Sequence, residues 1–166
     1  MKHFLLVAML FFYFFPIMIV YSASALSGKP TTTSSISSII TDRNLRCFIT
    51  ICMMFMCFHA ILYEILLPLE QVTTTYCICF LSGGIIGVIN TENHSVIHNA
   101  FATITFLSIW FFFFFSSTTS IFYYFQTFLL FLLLVFKDDT NSFFPLQCTF
   151  LFHFMVFYLY RHFLLL

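Results

Sequence analysis

The sequence predicts an all-α fold, a polytopic transmembrane helix bundle of about six spans, and three observations lead to it. The 166-residue chain is 61% hydrophobic and holds 28 phenylalanines, while only 7% of its residues are charged. A water-soluble domain of this size leaves roughly 30% of its unfolded-chain surface exposed, which so few charged residues cannot cover. The apolar residues are also gathered into six blocks between short polar breaks. The lipid bilayer is therefore the expected surrounding of the chain.

The six blocks are the predicted spans of one transmembrane domain, residues 1–166, and cover residues 4–21, 47–67, 72–90, 96–115, 121–136 and 143–160. A helix needs about 20 residues to cross a hydrocarbon core of about 30 Å. Helix is expected because an unpaired backbone N–H or C=O in lipid costs several kcal/mol. The blocks also lack the period-2 polar face of barrel strands. The fifth block is short for a span and needs residues 117–120 or the neighbouring helices to complete it.

The first block also has the features of a signal peptide. Lys2 and His3 precede it, and Ala23-Ser24-Ala25 after it has the small-x-small pattern of a cleavage site. The apolar run is, however, longer than the about 7–15 residues that are usual for such a peptide. Both an uncleaved first span and a cleaved signal peptide stay open, and cleavage would leave five spans.

The connections between the blocks predict how the helices are arranged. One polar loop, residues 27–46, follows the first span, and the later connections are much shorter. Short connections force consecutive helices to lie antiparallel. The spans are therefore expected to form one compact bundle without a soluble domain.

Polar residues inside the spans are costly in lipid and are expected to face the interior of the bundle. His59 and Glu64 lie in the second span, but a separation of five residues places them about 140° apart on a helix, so they are not expected to pair. Glu64 is one turn before Pro68 and is expected to reach the membrane interface. The amide of Gln126 is expected to hydrogen-bond across helices.

Two small residues of the third span, Gly83 and Gly87, form a small-xxx-small pair. Such a pair lets another helix approach closely. The pair predicts either packing within the bundle or a homodimer face, so another membrane protein or a second copy is a candidate partner.

The densest polar segment lies between the third and fourth spans and gives the candidate functional cluster Glu92, His94, His98 and Asn99. Ser95 is a natural N-cap for the fourth helix. His94 and His98 are four residues apart and would share a helix face near Glu92, as a divalent metal or a proton would require. A polar turn between two spans explains the same residues without a ligand, so neither a metal site nor a catalytic site is assigned. Asn93 begins a glycosylation sequon, Asn93-His94-Ser95.

Several functional classes are excluded by the motifs that the sequence lacks. It has no phosphate-binding glycine loop, no Gly-x-Ser-x-Gly motif and no His-Glu-x-x-His motif. Its six basic residues are scattered, which does not make a nucleic-acid surface. We therefore expect a non-enzymatic protein without a cofactor or a nucleic-acid partner.

Residues 72–120 resemble a known family. The segment G-V-I-N at residues 87–90 is followed by V-I-H-N-A-F-A at residues 96–102, and then by Phe106 and Trp110. This stretch, about a third of the chain, resembles the third and fourth helices of the DRAM-like family, the damage-regulated autophagy modulators and related GPI-lipid-remodelling factors. The resemblance implies six spans with both ends in the cytosol, and it places His98, Asn99 and Ala102 at the lumenal end of the fourth span.

The orientation that the resemblance implies is opposite to the positive-inside tendency. It places two basic residues, Lys2 and Arg161, in the cytosol and the other four outside: Lys29, Arg43, Arg46 and Lys137. The resemblance further implies a role in autophagy, membrane traffic or lipid handling, in the lysosome, Golgi or endoplasmic reticulum; the plasma membrane is the other location considered. Two alternatives remain, a small transporter or membrane-embedded enzyme using His98 and Glu92, and a chance or truncated reading frame.

Overall fold

The computed structural model describes residues 2–26, 46–66, 96–116, 120–137 and 142–164. These residues form five α-helices: α1 (Lys2–Leu26), α2 (Arg46–Leu66), α3 (Val96–Phe115), α4 (Ser120–Val135) and α5 (Phe143–Leu164). The predicted all-helical class is confirmed for the part of the chain that the structure describes. The predicted third span, residues 72–90, lies outside the described residues, and so does the polar loop before Arg46.

The helix bounds agree closely with the predicted spans in the middle of the chain and differ at its ends. Helix α3 has the predicted bounds, whereas α1 continues to Leu26 and α5 continues to Leu164. The apolar run at the end of α5 stops at Tyr160, but Arg161 and His162 are buried and the helix continues through them. In α1 the residues after the apolar run are small or apolar, which does not interrupt a helix.

Two of the described helices are long and apolar enough to cross a membrane, judged by length and composition. They are Val96–Phe115 and Phe143–Phe163, and shorter apolar segments lie at His3–Phe12, Thr50–Leu66 and Ile121–Val135. A buried core helix of a soluble protein passes the same test. Lipid and water as surroundings are therefore distinguished by which residues lie in the core and which lie on the surface.

Aromatic contacts define the directions of the helices. Helices α1 and α2 are antiparallel, since the ring of Phe12 lies 5.4 Å from Phe55 and that of Phe15 lies 6.2 Å from Phe48. Helices α3 and α4 form a hairpin in which Trp110 lies 5.9 Å from Tyr123.

Helices α3 and α5 run parallel to each other. Phe106 lies 5.2 Å from Phe150, and Phe112, further along α3, lies 6.0 Å from Phe157, further along α5. The last turn of α2 contacts the last turn of α5, where the rings of Tyr63 and His162 are 4.7 Å apart. Helices α2, α3 and α5 thus end at the same end of the bundle. Leu66, which ends α2, and Val96, which begins α3, consequently lie at opposite ends.

The core is built largely from aromatic and sulfur-containing side chains. Phe112 and Phe154 pack edge-to-face at 5.4 Å, and Phe113 stacks on Phe157 at 4.6 Å. Such aromatic pairs contribute about 0.5–1.5 kcal/mol each beyond the area they bury. The same core includes residues of all five described helices, among them Leu6, Cys57, Ile109, Leu133 and Phe150.

Large apolar side chains also cover the outside of every described helix. Phe4, Phe58, Phe131 and Phe163 are all at least 60% exposed. Further exposed examples include Val7, Phe11, Met54, Val96, Ile104, Ile121, Phe128, Leu134 and Phe152. The outer surface of the described bundle is thus apolar, like its core.

Candidate functional site

The polar residues buried in the described bundle are the starting point for a site. They are Glu64, His98, Ser108, Ser116, Gln126, Gln147, Arg161 and His162. A buried polar group must be hydrogen-bonded, and a buried charge must also be paired, or burial costs several kcal/mol. The contacts of these residues therefore show which of them act together.

Glu64 and His162 form the central contact of the candidate site. His162 Nε2 lies 3.3 Å from Glu64 Oε1, and the side chains are only 1% and 4% exposed. Glu64 is in the last turn of α2, and His162 is in the last turn of α5. The contact therefore joins two helices at the end of the bundle where both of them end.

Two tyrosines complete the hydrogen bonding of this pair. The hydroxyl of Tyr158 donates to Glu64 Oε1 in a short hydrogen bond. The hydroxyl of Tyr63 lies 3.1 Å from His162 Nδ1. Both ring nitrogens of His162 therefore have a partner, and Glu64 Oε1 has two. We call these four residues, Tyr63, Glu64, Tyr158 and His162, the polar cluster.

Local sequence explains why these side chains meet. Tyr158 and His162 are four residues apart, so they lie on the same face of α5. Their rings are 4.3 Å apart, and both side chains contact Glu64 Oε1 in the last turn of α2. Tyr63 and Glu64 are adjacent in α2, and the tilted rings of Tyr63 and Tyr158 lie 6.4 Å apart. The hydroxyl groups thus converge on the imidazole and the carboxylate.

Arg161 lies next to the polar cluster and contacts a different helix. Its guanidinium carbon is 5.3 Å from the centre of the Phe112 ring, and the residue is 2% exposed. A guanidinium over an aromatic face is attracted electrostatically by the ring quadrupole, whose face is negative. The end of α5 therefore holds a buried positive charge on the side that faces α3.

The sequence identified only one member of the polar cluster. Glu64 was expected to reach the membrane interface, and the structure shows that its carboxylate is buried against α5. Tyr63, Tyr158 and His162 were not identified, although the Tyr158-x3-His162 spacing is a signal for a shared helix face. The expectation that His59 and Glu64 do not pair agrees with the contacts, since His59 Nδ1 donates to the Phe55 carbonyl at 2.7 Å.

Gln126 forms the second buried polar contact between helices. Its Oε1 atom lies 2.5 Å from His153 Nδ1, joining the middle of α4 to the middle of α5. The His153 ring is also stacked on Phe113 at 5.3 Å. The prediction that Gln126 hydrogen-bonds across helices is therefore confirmed. Its Nε2 atom is buried without a hydrogen-bond partner in the described structure.

We expect Gln126→Leu to change the free energy of unfolding by only about 1 kcal/mol. Hydrogen bonds between helices in membranes contribute about 0.6 kcal/mol on average, and the substitution also removes a buried donor that lacks a partner. Unfolding of the purified protein in detergent, followed by the fluorescence of Trp110, measures the change. A loss above about 3 kcal/mol would contradict the weak contribution that such hydrogen bonds ordinarily make.

The predicted functional cluster is described only in part. His98 is buried in the first turn of α3, at 6% exposure, and Asn99 beside it is exposed. The Asn99 carbonyl accepts a hydrogen bond from Thr103 Oγ1 at 2.9 Å. The other predicted residues, Glu92, His94, the sequon residue Asn93 and the helix-packing glycines Gly83 and Gly87, lie outside the described residues.

Metal ligands and cysteines add no second site to the described part of the chain. No group of three or more His, Cys, Asp or Glu side chains there is arranged to hold a metal ion. Of the described cysteines, Cys52 and Cys57 are buried, Cys148 is partly buried and Cys47 is exposed.

Comparison of the chain with protein-family models, curated proteins and solved structures found no match. The resemblance of residues 72–120 to the DRAM-like family stays a prediction.

Proposed function

We propose that the chain is a multi-pass integral membrane protein of the endomembrane system. The observation behind this proposal is that the described bundle buries several polar side chains in a largely apolar core, while its outer surface is also apolar. Glu64, Arg161 and His162 are buried, whereas large apolar side chains such as Phe131 are exposed. A water-soluble bundle has the opposite arrangement, since long charged side chains are almost never fully buried unless paired.

The energetics of the surface favour lipid as the surrounding. Exposed apolar area costs roughly 25 cal/mol per Å² in water, and contiguous apolar patches beyond a few hundred Å² mark contact with a protein or a membrane. In the described bundle such side chains cover all five helices instead of one patch. A partner protein would cover one face, while a bilayer surrounds the whole bundle.

Six spans are the topology that we propose within this membrane. The opposite positions of Leu66 and Val96 support it, because a chain leaving α2 at one end must return to the other end before α3 begins. The apolar block at residues 72–90 has the length for that crossing. The remaining spans correspond to α1, α2, α3, α4 and α5.

The role that we propose is non-enzymatic, in autophagy, membrane traffic or lipid handling. It rests on the resemblance of residues 72–120 to DRAM-like proteins. The described polar groups are compatible with this role, since Glu64 with His162 and Gln126 with His153 join helices to one another. The lysosome, Golgi or endoplasmic reticulum is the proposed location.

Labelling of single cysteines tests the topology. In a cysteine-free background, Glu70→Cys and Glu92→Cys lie on the two sides of the proposed third span. In sealed endomembrane vesicles we expect a membrane-impermeant maleimide to modify Glu70→Cys from the cytosolic side and Glu92→Cys only after the vesicles are opened. A third variant, Asn44→Cys, is the matched control and should behave as Glu92→Cys does.

Two other outcomes have definite meanings. Labelling of both test positions from one side would remove the third span from the topology. Reversed labelling, with Glu92→Cys accessible in sealed vesicles, would keep the six spans but support the orientation that the basic residues favour.

A further inference from the structure

The Glu64–His162 contact brings a carboxylate and an imidazole together in the buried core, with 3.3 Å between Oε1 and Nε2. Histidine is the side chain that ordinarily changes its charge near neutral pH. Ionisable residues inside a membrane bundle mark functional sites, proton relays among them. We propose that Glu64 and His162 form a reversible proton-binding site, in which the proton is held on the His162 ring and stabilised by the Glu64 carboxylate.

The hydrogen bonds of His162 fit both protonation states. In the neutral ring, Nε2–H donates to Glu64, and Nδ1 accepts from the hydroxyl of Tyr63, 3.1 Å away. When a proton from water adds to Nδ1, Nδ1–H donates to the same hydroxyl oxygen, and Tyr63 only has to rotate its hydrogen. The ring gains one positive charge, the hydrogen bond between Tyr63 and Nδ1 reverses its direction, and the heavy atoms keep their positions. The site therefore binds a proton without rearranging the helices.

The charges around the site define what controls its proton affinity. Glu64 faces Tyr158 and His162 from α5, with Tyr63 beside it on α2, and Arg161 follows on the side of α5 that faces Phe112. To the hydrophobic core, α1 adds Leu5, Leu6 and Met9, and α3 adds Ile109, Phe112 and Phe113. The buried polar residues of α3 and its end are His98, at the opposite end of the bundle, Ser108 and Ser116. The Glu64 carboxylate in contact with the ring favours its protonated form, and the positive charge of Arg161, the preceding residue, opposes it.

The position of the site determines which compartment's pH controls its protonation. The polar cluster lies in the last turns of α2 and α5, at the end of the bundle where α3 also ends. In the proposed membrane this end lies at one aqueous surface. The site therefore exchanges protons with one compartment, and its occupancy follows the pH of that compartment.

Nuclear magnetic resonance of the histidine rings tests the proposal directly. The full-length protein, labelled with ¹⁵N at its six histidines, is placed in lipid nanodiscs, and the His162 signal is identified by its loss in His162→Gln. We expect His162 to change reversibly from the neutral to the charged ring as the pH is lowered from 8 to 5. In Glu64→Gln we expect its proton affinity to fall by about tenfold or more, because the nearby opposite charge is removed.

A second variant gives the opposite expectation. Tyr158→Phe removes a donor from Glu64 Oε1, so the carboxylate charge acts more strongly on the ring, and the proton affinity of His162 should rise. His59 is the matched control, because it lies on α2 and contacts Phe12 and Phe55. Unchanged His59 signals show that each variant is folded. A His162 ring that keeps one protonation state from pH 8 to 5, or equal proton affinity in the folded Glu64→Gln and wild-type proteins, would overturn the proposal.

Discussion

Replacing His162 with alanine is expected to lower the free energy of unfolding by about 3–5 kcal/mol, because a buried charge loses its partner. Glu64 Oε1 would keep the Tyr158 donor but lose Nε2, and the hydroxyl of Tyr63 would lose Nδ1. The missing ring would also leave a cavity between α2 and α5, which adds to the loss. Denaturant unfolding of the purified protein in detergent micelles gives the magnitude.

The fluorescence of Trp110, the single tryptophan, provides the signal for this measurement. Its Nε1 donates to Thr127 Oγ1 at 3.0 Å, so its emission responds when α3 and α4 separate. His59→Ala is the matched control, since its ring is only partly buried and hydrogen-bonds within its own helix. We expect that control to cost about 1 kcal/mol. Equal effects of the two alanine variants would show that the polar cluster contributes no more than an ordinary hydrogen bond.

Placing a charge on the outer face of α4 is expected to have the second largest effect. Phe128 lies near the middle of this helix and is 54% exposed. An arginine at the centre of a transmembrane helix costs about 2.5–3.5 kcal/mol of insertion free energy. On the surface of a water-soluble bundle the same substitution would change stability by no more than about 0.5 kcal/mol. The fraction of Phe128→Arg that integrates into microsomal membranes therefore shows whether this face of α4 contacts lipid or water.

Position along the helix provides the control for this variant. Val135 is also exposed but lies at the end of α4, where a long basic side chain can extend to the headgroup region. We expect Val135→Arg to integrate nearly as well as the wild-type protein. If both variants integrate equally well, the outer face of α4 is not in contact with the hydrocarbon core.

Local patterns in the sequence were sufficient to predict the five described helices and one of their contacts. The bounds of α3 are those predicted, because polar residues interrupt the apolar run at both of its ends. Gln126 was predicted to join two helices because an amide in an apolar span has few other partners. These features depend on residues close together in the chain or on the general cost of burying a polar group.

The polar cluster could not be predicted in the same way because it depends on which helices are neighbours. Glu64 and Tyr158 are 94 residues apart in the sequence. Helical spacing places Tyr158 and His162 on one face of α5, but it does not determine that this face contacts α2. For the same reason the contact of Glu64 with α5 was not predicted. Arg161 and His162 likewise marked the end of the apolar run, although both are buried in the bundle.

The central claim, that the chain is embedded in the bilayer, is tested most directly by alkaline extraction. The full-length protein carries a tag at each end, and isolated cell membranes are washed with sodium carbonate at high pH, which releases peripheral proteins. A bundle with an apolar outer surface is expected to stay in the membrane pellet with both tags present, and to enter solution only when detergent replaces the lipid. Recovery of the protein in the carbonate supernatant would contradict the account.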